Sequence, residues 1–106
     1  MTRSKLVEYG GGHSLVFACG GLPADDAIIA AGHEPNGYFW EGVATLLAPD
    51  LVAKLDLDSE ADMFSAAGPR ADLLRLQAVL EPHLDDPASV RALIDRAGAD
   101  GFQFDD

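Results

Sequence analysis

Two rhythms of apolar and polar residues run along this chain, and together they mark out its elements. Leu6-Val7-Glu8-Tyr9 and Ser14-Leu15-Val16-Phe17-Ala18-Cys19 are short, β-branched and aromatic runs bounded by glycine, which predicts two strands joined through Gly10-Gly11-Gly12-His13. Pro23 to Gly32 follows as a short helix, with Pro and acids in its first turn and glycine at its stop. His33-Glu34-Pro35-Asn36-Gly37 is a turn cluster. Behind it, Tyr38-Phe39-Trp40 opens a helix continued by Val43, Ala44, Leu46 and Leu47 and ended at Pro49. This aromatic knot contains the only tryptophan, and burying its rings removes more apolar area from water than any other short window.

Pro49 to Ala53 reads as a brief turn or a single helical coil. Leu55-Asp56-Leu57-Asp58 then alternates with period two, the signature of a strand with one wet face. Ser59 to Asp62 is polar enough to turn, which lets Met63-Phe64-Ser65-Ala66 return as the partner strand, ended by Gly68. The alternative has Ser59 capping a helix through Phe64. From Pro69 to Leu84, Leu73, Leu76, Leu80 and Leu84 recur at spacings of three and four, with Leu74 and Val79 widening the stripe, the clearest helix in the chain; Pro82 strains its last turn or ends it early. Asp86-Pro87 supplies a cap and a first-turn proline for a helix to about Ala97, with Val90, Leu93 and Ile94 inward and Gly98 as the stop. The tail Gly101 to Asp106 either adds an edge strand or packs Phe102 and Phe104 on the core. The order predicts an α+β fold, a small antiparallel sheet with three to four helices on one face, in a single domain over residues 1–106.

Charge changes the picture more than composition does. Eighteen acids oppose seven bases, a formal net charge of −11. Nucleic acid and anionic lipid are held by Lys and Arg, so neither is an expected partner, and no run of 18 apolar residues predicts a membrane span. A field of this sign attracts basic proteins and speeds their capture. Cys19 is the only cysteine, which excludes an intramolecular disulfide; in its apolar run it reads as a small buried hydrophobe. No apolar signal core follows the first five residues, so a cytoplasmic location is expected.

Four candidate chemical sites lose to simpler readings. Asp56, Asp58, Glu60 and Asp62 begin like a calcium loop, but its sixth and twelfth positions are Ala61 and Ala67 where glycine and glutamate belong. The Gly10–Gly12 turn lacks the helix N-terminus and basic residue of a phosphate cradle. His13, His33 and His83 lie in separate loops or helix ends with no i, i+4 pair for zinc. Ser14 and Ser65 lie outside any Gly-x-Ser-x-Gly turn. No catalytic, cofactor or metal residue is therefore assigned.

What is left is an acidic module with an aromatic corner. Gly37-Tyr38-Phe39-Trp40-Glu41, an apolar helix, and then Leu57-Asp58-Ser59-Glu60-Ala61-Asp62-Met63-Phe64 resemble an immunity protein of bacterial polymorphic toxin systems. The group is immunity protein family fifty-one, with its Gly-Tyr-x-Trp-Glu and Asp-x-Glu-x-x-Met-Phe signatures. The resemblance covers most of the chain, strongest from about Gly32 to Leu80, and departs at the Gly10–Gly12 turn and in the Phe102–Phe104 tail. It implies an α+β fold, no enzymatic activity, and a cytoplasmic partner: a cognate toxin domain encoded by an adjacent gene. Residues 37–66 carry six acids against Lys54 alone, which marks that segment as the toxin-facing side. Tyr38 is the expected anchor, and Glu41, Asp56, Asp58, Glu60 and Asp62 are the carboxylates expected to meet Arg or Lys at a basic, phosphate-handling active site. A competing assignment keeps Trp40 as packed scaffold and has Glu41 cap a loop or pair with Arg70 or Arg75. The alternative function is a small enzyme or a ligand- or metal-binding module built on the His33-Glu34 corner.

Overall fold

The structure is a computed structural model that describes residues 2–104. Its fold is α+β. Strands β1 (Lys5–Tyr9), β2 (Gly12–Ala18), β3 (Asp56–Leu57) and β4 (Met63–Ala67) form one antiparallel sheet in the order β1-β2-β4-β3. Helices α1 (Asp25–Ala30), α2 (Gly37–Leu47), α3 (Pro49–Val52), α4 (Arg70–Leu84) and α5 (Pro87–Ala99) complete the described elements. The short α3 is the helical coil allowed for after Pro49, so five helices stand where three to four were expected.

The β1–β2 hairpin is tighter than the glycine run implied. Tyr9 pairs with Gly12 across a two-residue loop, Gly10-Gly11, and both glycines have positive φ, 49° and 83°. That backbone matches the twist of the flanking strands and excludes side chains that resist the left-handed region. Gly12 and His13 therefore belong to β2. The register puts Leu15 opposite Ala66 and Phe17 opposite Phe64, all buried beneath the helices. Phe17 and Phe64 stack at 4.8 Å, and Phe17 meets Trp40 edge-on at 5.7 Å. Trp40 and Phe39 are both fully buried, so these two rings of the aromatic knot belong to the core, as the packed-scaffold assignment of Trp40 expects.

Met63–Ala67 is a strand, not the end of a helix capped by Ser59. Ser59 closes the hairpin instead: its hydroxyl accepts the Ser65 amide at 3.0 Å. The Leu residues at 73, 76, 80 and 84 line the buried stripe of α4, and the helix runs through Pro82 to Leu84. Burial of Leu84, whose carbonyl accepts the Ala24 amide, holds that last turn against the strain of proline. Asp86 caps α5 as expected, its Oδ1 accepting the amides of Ala88 and Ser89. Gly98 does not stop that helix; it sits inside the last turn, and the chain leaves the helix past Ala99. The described part of the tail is no strand. Phe104 stacks on Phe39 at 4.7 Å, filling the space above Gly42.

One tie had no counterpart in the sequence reading. The Arg3 and Ser4 amides donate to the Glu81 carboxylate of α4, at 3.1 and 2.8 Å, and Arg3 pairs with Asp85. Ser4 is buried there, fastening the approach to β1 onto α4.

Candidate functional site

Helix α2 begins where it touches the β3–β4 hairpin. Asn36 is extended, and its side-chain oxygen accepts the Phe39 amide at 2.8 Å, an N-cap that is itself buried. The first residue of the helix, Gly37, lies so close to the hairpin that a Cβ built on it would sit 2.8 Å from the Ser59 Cβ and closer still to the Glu60 and Met63 carbonyl oxygens. Its amide donates to the Glu60 carbonyl at 3.2 Å. One turn along, the Glu41 carboxylate accepts the Ser59 amide at 3.0 Å through Oε2. Glu41 thus caps the β3–β4 loop; it pairs with neither Arg70 nor Arg75. The loop is closed from within by the mutual bonds of Glu60 and Met63, 2.8 and 3.3 Å. Cys19 reaches it from β2, donating its amide to the Asp62 carbonyl at 2.9 Å.

This docking makes a corner of the segment that the charge count had singled out. Tyr38 follows Gly37 and is 41 % exposed, although its neighbours Phe39 and Trp40 are wholly buried. Asp56, Asp58, Glu60 and Asp62 are all exposed, while Leu57 turns back to pack on the core. Those carboxylates do not share one face. Asp56 lies in register with Ala67 and Ser14, on the sheet face away from the core. Glu60 and Asp62 border that uncovered face together with Arg3, Lys5, Val16 and Met63. Tyr38 and Glu41 stand on the other side of the loop, in a cleft that also takes in Thr45, Leu57 and Phe102. Of these lining residues, Phe102 escaped the sequence reading as a site residue. Its only signal was an aromatic ring placed after a helix stop.

The remaining titratable groups fall elsewhere. The His33 ring packs against Phe39 at 5.7 Å and Phe104 at 5.2 Å. His13 faces Glu8 across the first hairpin at 3.5 Å. His83 Nδ1 lies 2.8 Å from the Ser89 hydroxyl, and burial lowers its pKa, with Asp86 pulling weakly the other way. Burial pushes the Cys19 thiol up to about 12; a bond from the Phe64 backbone opposes this, and the charges of Asp25 and Asp62 add to it. Such a thiol holds little thiolate near neutral pH and is a poor nucleophile there. Among the described residues, no three His, Cys, Asp or Glu side chains converge as a metal site requires, and no helix is long and apolar enough to cross a membrane. The Trp40 Nε1–H is buried without a hydrogen-bond partner among the described residues. Comparison of the chain with protein-family models, with curated proteins and with solved structures gave no match.

Proposed function

We propose that this chain is an immunity protein: it binds a cognate toxin domain in the cytoplasm and neutralises it by covering a basic, nucleic-acid- or nucleotide-handling active site. The observation that carries the reading is the docked corner. Gly37 and Glu41 bind α2 to the β3–β4 loop, so the backbone that carries a half-exposed tyrosine and the exposed carboxylates on either side of the loop is already fixed and needs little ordering on binding. Rigid aromatic anchors beside charge are what tight protein–protein interfaces use, because little conformational entropy is lost when they engage. The net charge of −11 supplies long-range attraction to a cationic cleft. The resemblance of the Gly37–Glu41 and Asp58–Phe64 motifs to immunity proteins points the same way. The chain's own side chains make and break no bonds on this reading; they occupy the space that phosphate would take.

Co-expression is the test. The toxin domain encoded by the neighbouring gene is expressed in cells with and without this chain, and the two products are purified together. Survival of the cells and a stable complex are expected. Death in the presence of folded chain, with no complex recovered, refutes the proposal.

A further inference from the structure

The cleft beside the corner is small and chemically specific. Its volume of about 270 Å³ is that of a large side chain, or about nine waters at ~30 Å³ each. Tyr38 from α2 and Phe102 from the tail contribute aromatic rings, and Leu57 contributes an aliphatic surface. The charged group is Glu41. Its Oε2 is fixed by the Ser59 amide, while Oε1 makes no hydrogen bond within the described residues. Thr45 commits its hydroxyl to the Glu41 backbone carbonyl at 2.9 Å, so it does not compete for the carboxylate. None of the lining residues is basic, and no cation of the described chain pairs with Glu41. An oriented carboxylate in a cleft that two aromatic residues also line, with no counter-charge among the described residues, matches a planar cation. A guanidinium stacks on aromatic faces and donates in its plane to a carboxylate, whereas an ammonium is a compact, strongly hydrated charge less suited to stacking.

We infer that this cleft is a receptor for one arginine side chain of a basic protein partner, with Glu41 as its counter-ion and Tyr38 and Phe102 as its walls. The tail thereby takes part in recognition. It is held in place by the Phe102 amide donating to Ala97 at 2.8 Å and by Phe104 stacked on Phe39. The inference rests on the basic-partner reading above, but its test needs no toxin, so the two can fail separately.

The probe is N-acetyl-arginine amide, titrated into isotopically labelled full chain and followed by amide NMR, with the neutral citrulline analogue as control. Saturable shifts are expected at Gly42, Thr45 and Gln103, with binding of citrulline at least tenfold weaker. Glu41→Gln keeps an acceptor for Ser59 but loses the charge, and should weaken arginine binding by about tenfold, in line with a charged hydrogen bond. Phe102→Leu should weaken it about two- to fivefold, as for an exposed cation–π contact. Equal binding of citrulline, retention of full affinity in both variants, or shifts spread without saturation over all surface carboxylates overturns the inference. The citrulline comparison and Phe102→Leu keep the test decisive if Glu41→Gln unfolds.

Discussion

Two alanine substitutions for glycine, at Gly37 and Gly98, should change stability in opposite directions, and the docked corner dictates the sign. Both glycines lie in helices, where alanine is normally preferred by about 0.5–1 kcal/mol because it loses less backbone entropy. A Cβ on Gly98 meets nothing within 4 Å, so Gly98→Ala should simply stabilise the fold by about 0.5–1 kcal/mol. A Cβ on Gly37 collides with the carbonyls of Glu60 and Met63. These are backbone atoms of a closed hairpin and cannot swing aside as a side-chain tip would. Overpacking costs about 1–3 kcal/mol, and backbone obstacles place this case at about 3. Subtracting about 1 kcal/mol of helix preference leaves Gly37→Ala destabilised by about 2 kcal/mol. Urea unfolding read by tryptophan fluorescence measures both, since Trp40 is the only tryptophan. The two midpoints should move to opposite sides of the wild type. Stabilisation by both substitutions would mean that α2 does not touch the β3–β4 loop, and the corner would lose its rigidity.

Three further outcomes follow from the same geometry. Trp40→Ala should cost about 3–5 kcal/mol in urea unfolding, whereas Trp40→Phe, followed by circular dichroism, should cost much less because the indole N–H it deletes is buried without a partner among the described residues; equal costs would contradict that. With its pKa raised from 9.0 to about 12, the Cys19 thiol should react with a disulfide reagent at pH 8 at least about thirtyfold more slowly in the folded chain than in urea, the lower thiolate fraction outweighing the greater nucleophilicity of a more basic thiolate; comparable rates would refute the shift. Because burial lowers the His83 pKa, the unfolded chain takes up its proton first, so stability from this group is full above pH 6.5 and declines as pH falls below it; His83→Gln should lose less stability than the wild type between pH 7 and pH 5, and parallel pH profiles would refute the shift.

How much of this was legible in the sequence depends on the range of the interaction. The α4 stripe, the Asp86 cap, the first hairpin and the return of Met63–Ala66 after a polar turn are set by neighbours a few positions apart, and the sequence displays them directly. The central place of β4 is different. Met63–Ala67 pairs with β3 nearby and also with β2, about fifty residues away, and nothing local announces the second pairing. The bond network of Ser4 and Glu81 spans 77 positions and was equally silent. Gly98 and Gly37 misled or concealed for opposite reasons: one looked like a stop yet sits within a helix, and the other looked like turn punctuation yet marks a close approach. In the candidate site, charge density singled out residues 37–66, whose exposed carboxylates the structure places around the β3–β4 loop, and the loop-capping option for Glu41 corresponds to its bond with Ser59. Period-two alternation placed Asp56 and Asp58 in solvent. It could not show that the loop divides the carboxylates between an uncovered sheet face and a cleft, nor that Phe102 would close that cleft.

The proposed capture of a cationic toxin domain by this anionic corner is tested most directly by the association rate between this chain and the toxin domain proposed to be encoded by the neighbouring gene, measured by stopped flow at rising salt. With a Debye length of ~14 Å at 0.05 M shrinking to ~4 Å at 0.5 M, steering should fade, and the rate should fall tenfold or more across that range. Asp58→Lys with Glu60→Lys should slow association at low salt and leave the unfolding midpoint unchanged. A rate indifferent both to salt and to these two reversals would contradict the account.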